Sequence, residues 1–435
     1  MDLAPQTAEP PAPLGAAGRP DAPRGVHFIG HNQVRLLLGG DELFPAMCRA
    51  IEGASRDVWL ATYIFLDDAA GRCVGDALRA AAARGVRVHL VIDGFGSKLT
   101  LPWLRQWTRA EGIALEVFRP VGPWWSSLQR GQLRRLHQKL CVVDDRFAYV
   151  GGINIIDDRF DMVHGNSDAP RLDFAVELHG PVVPLVQRMA QALRTRVRLG
   201  QDWKREVRDV AQSERPVERT ISLLRSMRGT AKARELPDAV DDAAPVRVAF
   251  VVRDNFRQRR AIERSYIAAI RQARQRIDIA CPYFYPGRAF KRSLLRAAQR
   301  GVQVRLLLQG KVDYRLAGLA AQVLYDELLA RGVRIFEYTP AFLHAKVAVV
   351  DDDWATVGSS NIDPLSLLLN LEANVVVRDA GFAGQLRQRL EQALAVSTEI
   401  VAPPLGMGWR RWFSRGLVAW CAGLYLRLAG IDSRY

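Results

Sequence analysis

Two segments of the chain repeat one pattern of side chains that can act on a phosphate: a histidine, a lysine two positions later and an aspartate five positions after that. The two copies are His137, Lys139 and Asp144, and His344, Lys346 and Asp351. With 7 His, 7 Lys and 30 Asp among 435 residues, about 0.008 copies are expected if positions are independent. One copy alone is typical of an ordinary polar strand, so it is the duplication that predicts a catalytic site.

Residues two positions apart on a strand point to the same face, so each histidine shares a face with its lysine. A pseudo-twofold pairing of the two copies would bring two imidazoles and two ammonium groups into one pocket. That set suits a phosphodiester, because lysines neutralise the nonbridging oxygens while one histidine attacks phosphorus and the other protonates the leaving oxygen. Asp144 and Asp351 fall at a strand end before a turn, which favours a role in fixing that turn.

Both copies continue into a glycine-containing turn and an asparagine, in VGGINI and VGSSNI. The amides of Asn154 and Asn361 could donate further hydrogen bonds to the phosphate. No carboxylate-rich or HxH pattern accompanies these residues, so we predict neither a metal nor another cofactor.

The elements around the motifs are repeated as well. Residues 81–94 resemble residues 297–310, and residues 111–120 resemble residues 331–340. In each half an Ala-rich helix ends at a glycine and an apolar strand follows, which is the βαβ rhythm of a sheet covered by helices. We predict an α/β fold of two similar βαβ-type lobes, with mixed sheets flanked by helices, that are related by a pseudo-twofold and share one active site.

Shifts in composition divide the chain. We expect the lobes at residues 26–203 and 245–398, because residues 204–244 lose apolar periodicity and indicate a linker. Residues 1–25 are rich in Pro and Ala without an apolar h-region, which predicts a disordered leader and not a secretory signal. Residues 402–435 form a separate tail.

The overall composition is that of a globular protein, with 49% hydrophobic and 25% charged residues. The net charge of +15 permits either an anionic membrane or a nucleic acid as partner. Five scattered cysteines without a CxxC argue against a disulfide framework and for a reducing compartment. The best membrane-spanning candidate, the uncharged residues 416–426, is too short, since a span takes about 20 apolar residues.

The two motifs resemble the HKD signature of the phospholipase D superfamily, and the resemblance covers residues 26–397. It implies that the His, Lys and Asp of both motifs are catalytic, that a covalent phosphohistidine forms, and that water or an alcohol displaces it without a metal. It also implies a downstream carboxylate that orients each histidine. Here Asp173 and Glu372 lie on apolar strands, where an unpaired carboxylate would be costly.

Four stretches are similar to bacterial cardiolipin synthases of the B type, which lack N-terminal membrane helices: LLLGGDELFPAM, TYIFLDDAAGR, RGVRVHLVIDGFGS and VGGINI. This resemblance implies transfer of a phosphatidyl group between two phosphatidylglycerol molecules to give cardiolipin and glycerol. It further implies a peripheral protein on the cytoplasmic face of the bacterial inner membrane. The expected partner is a membrane of anionic phospholipid, phosphatidylglycerol and cardiolipin, and no protein partner is predicted.

Two aromatic and basic segments are candidates for lipid contact. Equivalent positions of the two repeats are 220 residues apart at the strands 111–120 and 331–340, but only 207 apart at the histidines. Lobe one therefore has 13 extra residues within 121–136. Tryptophan beside arginine suits a membrane interface in this insertion. In the tail, aromatic residues recur on one face of a predicted helix with arginines off that face, which is typical of a helix that lies in the plane of an anionic membrane. A packed loop and a helix docked on a lobe are the alternatives. The candidate residues are Trp124, Trp125, Arg134, Arg135, Trp409, Trp412, Phe413 and Trp420.

A second function remains open, a phosphodiesterase or nuclease of the same fold that hydrolyses phospholipid or nucleic acid. The basic stretches of the chain contain no aromatic platform on which bases could stack, so nucleic acid is the less favoured substrate. A non-catalytic membrane scaffold is disfavoured because both motifs are intact.

Overall fold

The computed structural model describes most of the chain. The described ranges are 26–120, 134–162, 165–211 (without the side chains of 201–211), 245–254, 258–310, 324–363, 366–367 and 370–401. The sequence features named above at positions 121–133 and in the tail therefore lie outside the described residues.

The first lobe contains a seven-stranded mixed sheet. Its strands are β1 (Gln33–Leu38), β2 (Asp57–Thr62), β3 (Arg87–Asp93), β4 (Ala114–Phe118), β5 (Lys139–Val143), β6 (Phe147–Gly151) and β9 (Phe174–His179), and β7 (Phe160–Asp161) pairs separately with β8 (Gly165–Asn166). The order across the sheet is β1-β9-β6-β5-β2-β3-β4. Strands β2, β3 and β4 are parallel, and the remaining neighbours are antiparallel.

The second lobe repeats this order with one strand added. Its strands are β10 (Arg247–Arg253), β11 (Arg276–Ala280), β12 (Gln303–Gln309), β13 (Arg334–Tyr338), β14 (Val347–Val350), β15 (Trp354–Gly358), β16 (Glu372–Arg378) and β17 (Thr398–Ile400). Their order is β10-β16-β15-β14-β11-β12-β13-β17, which matches the first sheet strand for strand until β17. The prediction of two similar α/β lobes with mixed sheets is confirmed.

Some helix ends have a cap that the sequence provides. Those with complete bounds are α1 (Gly39–Glu52), α2 (Ala69–Ala83), α3 (Leu101–Ala110), α4 (Val183–Ala211), α5 (Ala261–Gln272), α6 (Arg288–Gln299) and α7 (Ala380–Ala395). The Asp68 side chain caps α2 by accepting from the Gly71 N–H at 2.8 Å. Gly85 and Gly301 follow α2 and α6 with φ of +85° and +87°, a conformation that glycine adopts without strain.

The two sheets share a core between them. Buried side chains from the inner faces of both sheets, from α4 and from α7 form one apolar cluster, and each outer face has a cluster of its own beneath the remaining helices. Two parallel bridges join the lobes, Leu136 to Leu371 and Leu172 to Leu343. The lobes are therefore packed as one body around an approximate twofold axis.

One helix and one strand extend past the lobe ends that composition predicted at residues 203 and 398. Helix α4 continues beyond residue 203 to Ala211, and β17 continues beyond residue 398 to Ile400 by pairing with β13. Within the described residues, no helix combines the length and the apolar character needed to cross a bilayer.

Candidate active site

The two motif histidines lie at the junction of the lobes, each just before a central strand. The His137 N–H donates to the Leu371 carbonyl at 3.0 Å, and the His344 N–H donates to the Leu172 carbonyl at 2.9 Å. Each histidine is thus held by the main chain of the opposite lobe. Their side chains are 14% and 23% exposed, so both rings are largely shielded from water.

The carboxylates that orient the histidines are exchanged between the lobes. His137 Nδ1 lies 3.0 Å from Glu372 Oε2, and His344 Nδ1 lies 2.6 Å from Asp173 Oδ2. When the imidazole is neutral, its Nδ1–H donates to the carboxylate, and Nε2 keeps a lone pair for phosphorus or for a proton. The structure therefore brings together the four residues that the sequence suggested for this purpose.

The position after the first glycine of each copy differs between the lobes and changes the surroundings of the carboxylate. At Gly152 a Cβ would stand 2.4 Å from Asp173 Oδ1, so a side chain there would displace the carboxylate. The equivalent residue in lobe two is Ser359, whose hydroxyl donates to Glu372 Oε2 at 2.6 Å. Glu372 therefore accepts from a hydroxyl, whereas Asp173 accepts from the Phe174 N–H at 2.8 Å.

Both lysines are buried beneath the histidines. Lys139 and Lys346 are 4% and 1% exposed, and each ammonium donates to the carbonyl of the histidine two residues before it. Burial lowers the pKa of Lys139 to about 7 and that of Lys346 to about 8. Among the described residues, no cluster of three or more His, Cys, Asp or Glu could hold a metal ion.

Burial also lowers the pKa of both imidazoles, because a charged ring would lose its hydration. Glu372 partly offsets this effect at His137. At His344 the ammonium of Lys346 adds to the effect of burial, and its pKa lies well below the usual value. Burial thus favours the neutral imidazole, the form that attack by Nε2 requires, whereas the histidine that acts as acid has to carry a second proton at Nε2.

The two carboxylates differ in charge although their geometry is alike. Burial raises the pKa of Asp173 to about 7, against the opposing attraction of Lys346. Burial acts in the same direction on Glu372, but His137, Lys139 and the Ser359 hydroxyl outweigh it and hold the pKa of Glu372 below its usual value. Glu372 is thus the more firmly ionised of the two.

The aspartates of the motifs lie at the far ends of β5 and β14 from the histidines. The Asp144 carboxylate accepts from the main-chain N–H groups of residues 55–57 at 2.7 to 2.8 Å and from the Ser55 hydroxyl. Asp351 accepts from the N–H groups of residues 274–276 at 2.8 to 3.0 Å. Both carboxylates bind a turn and neither contacts an imidazole, so the catalytic role implied by the resemblance has no support in this geometry.

Asn154 and Asn361 are buried at the ends of the strands that flank the motifs. Asn154 Oδ1 accepts from the Ile64 N–H at 3.3 Å, and Asn361 Oδ1 lies 4.0 Å from Cys281 Sγ. These contacts fix the chain just after β2 and β11. Phosphate binding by the two amides stays a prediction.

Of the residues suggested for lipid contact, the structure describes Arg134 and Arg135, and both are partly exposed. The Arg135 guanidinium lies over the Phe95 ring, 4.8 Å from its centroid. The other candidates, Trp124, Trp125, Trp409, Trp412, Phe413 and Trp420, lie outside the described residues.

Sequence reasoning missed an aromatic wall of the site. The Tyr63 ring lies 5.3 Å from the His137 ring in an edge arrangement, and Lys139 Nζ is 5.5 Å from the Tyr63 centroid. Burial raises the pKa of Tyr63 to about 12, so its hydroxyl keeps its proton. Tyr63 directly follows β2, the strand that pairs with β5. This position next to the motif strand was the signal that could have revealed it.

Sequence reasoning also missed two polar residues, which hold the segments just before the histidines. Asp93 Oδ2 accepts from the Leu136 N–H at 2.8 Å, and Gln309 Oε1 accepts from the Leu343 N–H at 3.2 Å. These two polar residues end equivalent apolar strands of the repeat, in LVIDG and LLLQG. A polar side chain at that point of both copies was the signal that could have revealed them.

Comparison with known families bears on the chemistry of this site. The family model described as "Cardiolipin synthase, PLD-like domain" matches residues 47–167 and 266–394, so that each matched segment contains one histidine–lysine motif. The chain belongs to the cardiolipin synthase family. Cardiolipin synthase B of Escherichia coli strain K12 is 33% identical over 418 residues, which cover 92% of this chain and 93% of that protein.

Other members of the family are similar over most of their length. Cardiolipin synthase B of Salmonella typhimurium is 36% identical over 364 residues, covering 83% of this chain and 80% of the relative. Cardiolipin synthase A of Pseudomonas putida is 30% identical over 374 residues, covering 86% and 70%. Both A-type and B-type relatives thus match the region that contains the two lobes.

Solved structures support the fold. Phosphatidylserine synthase of Haemophilus influenzae superposes with a TM-score of 0.63 at 14% identity, covering 93% of this chain and 97% of that one. Polyphosphate kinase of Porphyromonas gingivalis gives a TM-score of 0.51 at 14% identity, covering 90% and 53%. At this level of identity, the likeness concerns the fold alone.

Proposed function

We propose that the protein is a cardiolipin synthase, which transfers a phosphatidyl group from one phosphatidylglycerol to the free hydroxyl of another and releases glycerol. The observation that carries the proposal is the pair of histidines, each bound at Nδ1 by a carboxylate of the opposite lobe, in a member of this family. The relatives named cardiolipin synthase support cardiolipin as the product, and phosphatidylglycerol as donor and acceptor is part of the proposal.

In the first half-reaction, Nε2 of one histidine attacks the donor phosphorus. A P–N bond forms as the P–O bond to glycerol breaks, and the other histidine protonates the leaving oxygen. Lys139 and Lys346 lie beside the histidines and neutralise charge on the nonbridging oxygens. An anionic phosphate raises the pKa of a neighbouring lysine, so substrate binding itself favours the protonated ammonium groups.

In the second half-reaction, the hydroxyl of the acceptor phosphatidylglycerol attacks the phosphohistidine. A P–O bond forms as the P–N bond breaks, and the hydroxyl proton passes to the histidine that served as acid. Attack by water in place of the lipid would give phosphatidic acid. The synthase reaction therefore depends on holding the acceptor hydroxyl where water would otherwise react.

The direct test is incubation of the purified protein with phosphatidylglycerol vesicles in chelator, with glycerol and cardiolipin measured together. Single- and double-stranded DNA are incubated in parallel. Equal amounts of cardiolipin and glycerol are expected, and cleavage of DNA without cardiolipin formation would contradict the proposal.

Variants of the histidines sharpen this test. His137→Ala and His344→Ala are each expected to abolish turnover, because each half-reaction needs both rings. His179→Ala is the matched control: His179 also contacts a carboxylate, Glu177, at 2.7 Å, but it lies at the opposite end of β9 from the site. Substantial activity in either motif variant would contradict a shared two-histidine site.

The same proposal includes peripheral binding to anionic phospholipid on the cytoplasmic face of the inner membrane. The tryptophans and arginines of residues 402–435 supply one proposed contact. Removing this segment is expected to weaken binding to phosphatidylglycerol vesicles while the two lobes stay folded. Binding that is unchanged by the truncation would assign the contact elsewhere.

A further inference from the structure

Three arginines converge beside His137 at one corner of the first sheet. Arg119 follows β4, and Arg134 and Arg135 lead into the motif strand. Tight packing joins these segments: the Gly94 N–H donates to the Phe118 carbonyl at 2.8 Å, and a Cβ on Gly94 would stand 2.6 Å from the Arg119 carbonyl oxygen. The Leu136 N–H donates to Asp93 Oδ2 at 2.8 Å, which brings the segment of Arg134 and Arg135 to the same corner as Arg119.

The cluster contains buried donors that have no acceptor. The Nη1 atoms of Arg119 and Arg135 are both buried, and neither has a hydrogen-bond partner among the residues that the structure describes. Within the described part of the chain, the carboxylate near them is Asp93, whose Oδ1 lies 3.9 Å from Arg135 Nη1, beyond hydrogen-bond distance. Asp93 already accepts from the N–H groups of residues 95, 96 and 136.

Burial and the charges of Arg134 and Arg135 lower the pKa of Arg119, an independent sign that the cluster lacks compensating negative charge. Guanidinium groups bind phosphates through paired N–H donors, and buried donors without acceptors are costly. A bound phosphodiester would supply both the missing acceptors and the missing negative charge.

The cluster is adjacent to the reacting centre. Arg135 precedes His137 by two residues, and two residues of extended chain span about 7 Å. A glycerol bridge can span a distance of this order between the two phosphates of one product molecule. Apolar surface adjoins the cluster at Phe95, which is 44% exposed and whose centroid lies 4.8 Å from Arg135 Cζ and 5.1 Å from Lys98 Nζ. Leu99, four residues further along the chain, is 68% exposed.

Lobe two does not repeat these three arginines. The positions equivalent to Arg119, Arg134 and Arg135 are occupied by Thr339, Ala341 and Phe342. The pseudo-twofold that relates the histidines and lysines therefore fails at this corner. A site on one side of the axis can distinguish two lipids that the symmetric centre cannot.

We propose that Arg119, Arg134 and Arg135 form a second phosphodiester site, which binds the phosphate of the acceptor phosphatidylglycerol while the donor reacts between the histidines. This assignment rests on the proposed cardiolipin synthase function. It places the acceptor headgroup on the lobe-one side of the site, with Phe95 and Leu99 against the lipid.

The test measures how the phosphohistidine is partitioned between lipid and water. In Arg119→Gln and Arg135→Gln, the ratio of cardiolipin formed to glycerol released is expected to fall at least about 10-fold, with phosphatidic acid taking the place of cardiolipin. Arg135→Lys keeps the charge but loses the paired N–H donors of the guanidinium, and its product ratio is expected to lie between those of the wild type and Arg135→Gln. Arg109→Gln, an exposed arginine at the end of α3, is the control for loss of one positive charge.

The outcomes separate this proposal from the function on which it rests. A wild-type protein that makes no cardiolipin would overturn the function itself. A wild-type protein that makes cardiolipin, with an unchanged product ratio in both glutamine variants, would overturn the acceptor site alone. Equal losses of glycerol and cardiolipin would assign the arginines to the donor or to folding.

A competition experiment identifies the ligand. Dihexanoyl phosphatidylglycerol is expected to accept phosphatidyl groups in the wild type and to do so poorly in Arg135→Gln. Inorganic phosphate is expected to compete weakly, because it lacks the apolar part that Phe95 and Leu99 contact. Inhibition by inorganic phosphate at the same concentration as the short-chain lipid would overturn a lipid site in favour of a general anion site.

Discussion

At the scale of single residues, the exchange of carboxylates makes each histidine dependent on the other half of the chain. Glu372→Gln leaves the shape of the pair but removes the charge that orients and stabilises His137. By analogy with the effect of removing such a carboxylate from a triad, kcat is expected to fall by roughly 10³- to 10⁴-fold, measured as cardiolipin formation. Glu177→Gln, which alters a carboxylate–histidine contact outside the site, is the control and should stay within about threefold of wild type.

The lysines predict the pH dependence. Burial lowers their pKa values to about 7 and about 8, so both ammonium groups lose their protons in the free enzyme as pH rises through this range. Because the charged forms neutralise the phosphate, kcat/KM is expected to fall as pH rises above about 7, where Lys139 begins to lose its proton in the free enzyme. The fall in kcat is expected only at higher pH, where the bound phosphate no longer keeps the lysines protonated. A kcat/KM that stays flat from pH 7 to about 9.5 would contradict this role for the lysines.

Stability should change in the opposite direction over the same range, which distinguishes loss of protons from unfolding. An unfolded lysine titrates near 10.4, so between about pH 7 and 10 the unfolded chain binds more protons at these two positions than the folded chain does. Their contribution to the free energy of unfolding therefore rises with pH. Urea titrations at pH 7 and pH 9, compared between wild type and Lys139→Met, measure this contribution.

At the scale of elements, the motif aspartates follow β5 and β14 and hold the segments that lead into β2 and β11. Asp144 has φ of +53° and accepts from three main-chain N–H groups and the Ser55 hydroxyl. Asp144→Ala is expected to lower the free energy of unfolding by about 2 to 4 kcal/mol, because it leaves those donors without an acceptor at a position that alanine adopts with strain. Asp144→Asn, which tolerates positive φ and keeps one oxygen, should lose about half as much.

Denaturant titration and activity per folded molecule are measured together for these two variants. Retained activity in the folded fraction is the expected result. A fully stable Asp144→Ala protein without activity would place the aspartate in the chemistry after all.

Sequence patterns located the helices and strands better than they located the ends of these elements or the packing of the two lobes against each other. Alternating apolar residues and the glycines after Ala-rich helices located the repeated strands and helices, since both signals are local. Composition placed the end of lobe one at 203, but α4 continues to Ala211, because charged residues with good helix propensity extend a helix past its apolar stretch. The exchange of Asp173 and Glu372 between histidines depends on how the lobes dock, which no local signal encodes.

At the scale of the whole molecule, the shared core predicts that the lobes unfold together. Leu136 and Leu343 are 0% and 1% exposed in the cluster between the sheets. Leu136→Ala and Leu343→Ala are each expected to cost about 2 to 5 kcal/mol, to lower activity and to leave a single calorimetric transition. Leu104→Ala, buried in the outer core of lobe one, should cost a similar amount with activity retained, and two separate transitions in any of these proteins would contradict a shared core.

The carboxylate exchange has one more consequence, for the behaviour of mixed populations. Each histidine–carboxylate pair takes one residue from each lobe. The lobes of two separate molecules could therefore assemble into composite sites. Mixing two inactive proteins, one altered at His137 and the other at His344, would give one composite site with neither substitution and another with both. Recovery of activity after joint refolding of such a mixture, and its absence when each is refolded alone, would reveal complementation between copies.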